Sequence, residues 1–76
     1  MQAMLMDVDL ARTLLAIVEA GSFKEAANKL NLTQSTISAR VKTLEDVVGK
    51  RLLERSKAGV QLTAPGEHFY LSLIHI

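Results

Sequence analysis

The sequence predicts a small, mainly α-helical domain with a short two-stranded hairpin after its third helix. Three observations carry that expectation. Three runs of apolar residues recur at helical spacing, and each is bounded by residues suited to start or stop a helix. After a turn at Lys57-Ala58-Gly59, the segment Val60-Gln61-Leu62-Thr63 alternates strictly.

The first helix is read from Asp9 to Ala20, where Leu10, Leu14, Ile17 and Val18 share a face, and Gly21 ends it in a left-handed conformation. Ser22-Phe23-Lys24-Glu25 has the form of a capping box that opens a second helix, in which Phe23, Ala26, Ala27 and Leu30 form the buried stripe. Ala26 and Ala27 are short enough for a neighbouring helix to approach closely. Asn31-Leu32 supplies the turn, because Asn tolerates positive φ.

Thr33 then caps a third helix that reaches Val48. Its apolar face is Ile37, Val41, Leu44, Val47 and Val48, and Gly49 closes it. Two helices separated by about three residues make a helix-turn-helix. Leu53-Glu54-Arg55-Ser56 and the alternating segment read as a hairpin, or wing, spanning 53–62. Thr63-Ala64-Pro65-Gly66 starts a fourth helix, with Thr as cap and Pro in the first turn, where its missing amide is harmless. The fold class is therefore a winged helix-turn-helix: three-helix core, two-stranded wing and the start of a fourth, linker helix.

At 76 residues there is room for one domain and one core, and the 49% hydrophobic content is enough to fill it. The absence of Cys excludes a disulfide framework and thiolate metal sites, and leaves close helix packing as the source of stability. No cluster of His and carboxylates, phosphate-cradling Gly-rich loop or pocket volume supports an enzyme, and no cofactor is implied. No stretch reads as membrane-spanning or as a signal peptide, which gives a soluble, cytoplasmic expectation.

The net charge of +1 is uninformative, but its distribution is uneven. Residues 33–57 hold six cations (Arg40, Lys42, Lys50, Arg51, Arg55, Lys57) against three anions (Glu45, Asp46, Glu54). Lys50 and Arg51 are placed to pair with those anions.

Gly21-Ser22-Phe23, Ala26-Ala27, Leu30, Thr33-Gln34-Ser35, Ile37-Ser38, Leu44-Glu45, Gly49, Leu52-Leu53-Glu54-Arg55 and Leu62-Thr63-Ala64-Pro65-Gly66 together resemble the amino-terminal DNA-binding domain of bacterial LysR-type transcription regulators. The resemblance covers about Met6 to Phe69. It implies an N-terminal extension at 1–5, a winged helix-turn-helix at 6–66 and a linker or dimerisation helix beginning at 67–76. Several positions depart from the family pattern. Ser35 stands where Pro is frequent, Ala39 where Arg is frequent with Arg40 one place later, and Leu53 where Phe is common. The apolar end Leu71-Ser72-Leu73-Ile74-His75-Ile76 reads either as a truncation or as non-native.

The partner implied is double-stranded DNA, read by the helix at 33–48. Gln34, in the first turn, can donate to and accept from an adenine edge at once. Ser35, Thr36 and Ser38 are short hydroxyl residues suited to phosphates or bases, with core filling equally open for Thr36. Thr33 caps its helix, whose free amides favour a phosphate, with capping alone the other reading. For Ser22, which caps the second helix, the resemblance implies a phosphate contact, with capping alone equally open. Arg40 and Lys42 flank this set. Arg55 resembles the family's phosphate-contacting wing Arg, and Lys57 sits at the wing turn; for both Lys a solvated surface role is equally open. The resemblance also implies self-association through the fourth helix in a full-length parent, weak or absent in this chain. A winged helix that docks on a protein is the alternative reading, disfavoured by the polar face of the third helix. His68 and His75 lack convergent partners for a metal, and His68 is expected on an exposed face.

Overall fold

The computed structural model describes residues 2–56 and 59–74. Their order is α1 (Gln2–Ala20), α2 (Phe23–Leu30), α3 (Gln34–Val48), β1 (Leu53–Ser56), β2 (Gly59–Leu62) and α4 (Ala64–Ile74). The strands pair antiparallel with Leu53 opposite Leu62 and Arg55 opposite Val60. This is the expected winged helix-turn-helix.

Local chemistry places the breaks. Ser22 Oγ accepts the Glu25 amide at 3.0 Å, Thr33 Oγ1 the Thr36 amide at 3.1 Å and Thr63 Oγ1 the Gly66 amide at 3.0 Å. Each such cap stabilises its helix by about 1 kcal/mol. At the other ends, Asn31 (φ 58°) and Gly49 (φ 82°) take the left-handed conformation. The Leu32 amide donates back to the Ala27 carbonyl at 2.9 Å, which closes the turn of the helix-turn-helix.

The core is where the three helices meet. Leu10, Leu14 and Ile17 of α1, Phe23, Ala26 and Ala27 of α2, and Ile37, Val41 and Leu44 of α3 are buried together with Leu52 and Leu53. Removing each large aliphatic side chain from water contributes about 1.5–3 kcal/mol, an upper figure because the unfolded chain already hides some of this area. Thr13 is buried among them, and its hydroxyl donates to the Asp9 carbonyl at 2.9 Å.

Four details differ from the sequence expectation. First, α1 begins at Gln2 rather than Asp9. Second, Val47 is 64% exposed, not part of the buried stripe. At 100° per residue it lies about 80° from Ile37 and further from Val41, beyond the arc that α1 and α2 cover. Third, β2 starts at Gly59, inside the expected turn, while its end at Leu62 and the cap at Thr63 are as expected. Fourth, Lys50 and Arg51 form no ion pair with Glu45, Asp46 or Glu54 among the described residues. Glu45 Oε2 instead accepts the amides of Leu52 and Leu53 at 2.8 and 3.2 Å, and Arg51 donates to the Leu53 carbonyl at 3.4 Å.

Leu52 joins the parts. Its side chain is fully buried, its amide is held by Glu45 of α3, and its carbonyl accepts the Thr63 amide at 3.0 Å just before α4.

Candidate nucleic-acid interface

Burying Ile37, Val41 and Leu44 turns the remaining positions of α3 outward. Gln34, Ser35, Ser38, Ala39, Lys42 and Thr43 are all exposed. These side chains are short, apart from Gln34 near the start of the helix and Lys42 further along. The surface can therefore enter a groove without being propped away from it.

Thr33 and Thr36 act together at the helix start: besides the capping bond, their hydroxyl oxygens lie 3.0 Å apart. Thr33 is exposed and Thr36 half-buried, which leaves the N-terminal amides of α3 facing solvent beside Gln34. Ser22, half-buried, does the same for α2.

The wing meets α3 through Arg55. Its guanidinium carbon lies 3.8 Å from the centroid of the Phe23 ring, and Nη2 donates to Ser38 Oγ at 3.5 Å. Three elements far apart in sequence are thus brought together: the start of α2, the middle of α3 and strand β1.

Arg40 goes elsewhere. It sits roughly 160° around α3 from Ser38 and borders α1, where Nη1 donates to Thr13 Oγ1 at 3.4 Å. The structure therefore gathers Gln34, Ser35, Ser38, Lys42 and Arg55 toward one face and sets Arg40 and Thr36 on the flank toward α1. Lys57 lies outside the described residues, as does His75; His68 is exposed. Sequence reading missed the ring of Phe23 beneath Arg55. Its apolar spacing announces a core residue, and nothing local connects it to a residue on the wing.

Among the described residues no three of His, Cys, Asp and Glu assemble as a metal site, and no helix is long and apolar enough to cross a membrane.

Residues 8–67 match the family model described as the bacterial regulatory helix-turn-helix protein of the lysR family. Over 64 residues the chain is 39% identical to an uncharacterised HTH-type transcriptional regulator, YdcI, of Escherichia coli and 44% identical to the HTH-type transcriptional activator AllS of Klebsiella pneumoniae. Each alignment takes in 84% of this chain, but 21% of YdcI and 24% of AllS, so the chain spans less than a quarter of these curated relatives. Among solved structures, the CbnR DBD–DNA complex superposes with a TM-score of 0.82 at 34% identity, over 88% of this chain and 77% of that one. The BenM DBD bound to benA site 1 DNA does so with a TM-score of 0.82 at 37% identity, over 88% of this chain and 75% of that one. With the family model matched over residues 8–67 and with these identities and superpositions, the chain belongs to the LysR family of bacterial regulatory helix-turn-helix proteins.

Proposed function

We propose that this chain binds double-stranded DNA sequence-specifically in the regulation of transcription, with α3 in the major groove and the β1–β2 wing on the backbone or in the minor groove. The observation that carries this reading is the uncovered, polar face of α3, with the Arg55 guanidinium of the wing held against Ser38. The CbnR and BenM domains solved with DNA, similar over 88% of this chain, support it.

In this reading Gln34 reads a base edge, while Ser35 and Ser38 contact bases or phosphates. Thr33 and Ser22 present helix N-termini to phosphates, and Thr36 holds the Thr33 cap in place. Lys42, Arg55 and Lys57 supply cations to the backbone. Arg40 reaches a flanking phosphate after leaving Thr13. The chemistry is recognition, with no reaction, and the setting is the bacterial cytoplasm. A longer parent chain would pair two such domains through α4 and read two half-sites, whereas this chain alone binds one half-site weakly.

The test is selection from a randomised duplex library at several salt concentrations, with the wild-type chain and with Gln34→Ala. Recovery of a defined half-site, degenerate at some positions in the variant, is the expected result. Absence of binding even at low salt would refute this reading and favour a protein-docking role.

A further inference from the structure

We infer that Phe23 is a positioning residue for DNA binding: its buried ring acts as the platform that holds the Arg55 guanidinium ready for a phosphate. The inference rests on the DNA-binding reading above and adds to it a residue that touches no DNA.

Arginine at the edge of a hairpin has a long side chain with many rotamers, and a free one must be immobilised when it meets its partner. Here immobilisation precedes binding. Phe23 is 8% exposed, and its neighbours in the core fix its ring. The guanidinium carbon stands 3.8 Å from the ring centroid, within the range where the ring quadrupole attracts a cation. Stacking occupies the flat face of the guanidinium and leaves its donors, which lie in the plane at the rim, free to bond. One of them is directed to Ser38 Oγ at 3.5 Å, which sets the rotation of the plane. The remaining donors form a fork of the kind that phosphate oxygens accept in pairs.

The same stack fixes the wing relative to the start of α2 and the middle of α3. Ser22, whose hydroxyl caps α2, precedes Phe23 in the chain. A phosphate at that helix N-terminus and a phosphate on Arg55 would therefore be held at a set separation. Preorganisation of this kind strengthens binding by reducing what must be ordered on association.

The experiment has two readouts. In the free wild-type chain, NMR of Arg55 should show its side-chain protons shifted upfield by the ring current of Phe23. The shift should persist in Phe23→Tyr and vanish in Phe23→Leu. Affinity for a mixed-sequence duplex, measured at several salt concentrations, should fall by about three- to tenfold in Phe23→Leu and recover in Phe23→Tyr. In an Arg55→Gln background, Phe23→Leu should weaken binding no further.

Arg55 protons at random-coil positions in the folded wild type would overturn the proposal, and so would an equal loss from Phe23→Leu with and without Arg55. If the wild type binds no duplex while Arg55 remains ring-shifted, the DNA-binding reading itself has failed. Duplex binding with an unshifted Arg55 removes the positioning role alone.

Discussion

Gly66, in the first turn of α4, lies so close to Leu52 that an added Cβ would penetrate the Leu52 carbonyl oxygen and stand 2.9 Å from its carbonyl carbon. Both partners are backbone, so neither can swing aside as a side chain would. Gly66→Ala is expected to destabilise the fold by about 2 kcal/mol, the range of overpacked sites. A thermal melt followed by circular dichroism should show a midpoint about 10 °C lower. An unchanged midpoint would mean that α4 can shift away from Leu52 freely.

Glu45 is the acceptor for two backbone amides, those of Leu52 and Leu53, both residues being buried. Glu45→Ala leaves these donors without their partner and should cost about 1–3 kcal/mol in denaturant unfolding. Glu45→Gln keeps a carbonyl oxygen in place and should lose less. Equal losses for the two variants would show that the packing of the side-chain stem matters more than the bonds.

Asn31 carries the turn between α2 and α3 with φ 58°. Asn31→Gly should leave stability nearly unchanged, while the β-branched Asn31→Val should lower it by about 1–2 kcal/mol, since only the latter pays for the left-handed backbone. Chemical unfolding of the two variants side by side checks the ordering.

Gln34 and Lys42 should separate specificity from affinity. Gln34→Ala should relax preference at particular base pairs, with about 1–3 kcal/mol lost on the best sequence and little on others. Lys42→Ala should weaken all duplexes alike and reduce the slope of log affinity against log salt by about 1. Titrations on a selected and an unrelated duplex across a salt series distinguish the two patterns.

What the sequence made legible follows the range of the interaction. Ser22, Thr33 and Thr63 were readable as caps because each bonds an amide three residues away, and Asn31 and Gly49 because the conformation they adopt is a property of the residue itself. Gln34 and Ser38 were placed on an exposed face by the period of Ile37, Val41 and Leu44. The failures are non-local. Glu45 looked like a surface partner for Lys50 or Arg51, yet it reaches the amides of Leu52 and Leu53 because Gly49 reverses the chain toward it. The bond from Arg40 to Thr13 was likewise not legible from its charge, because it depends on where α1 crosses α3. The stack of Arg55 on Phe23 joins residues that only the finished fold makes neighbours.

The peptide of Leu52 works as a splice between two shafts. Its amide is fastened to Glu45 on α3, its carbonyl to the residue that caps α4, and Gly66 leaves no clearance for slip. A displacement of α4 would be felt at this peptide and, through Glu45, at α3. A segment continuing from α4 would therefore bear on α3 through the single peptide of Leu52. If two copies pair through α4 as proposed above, the angle at which they meet would bear on the angle at which their third helices face the double helix.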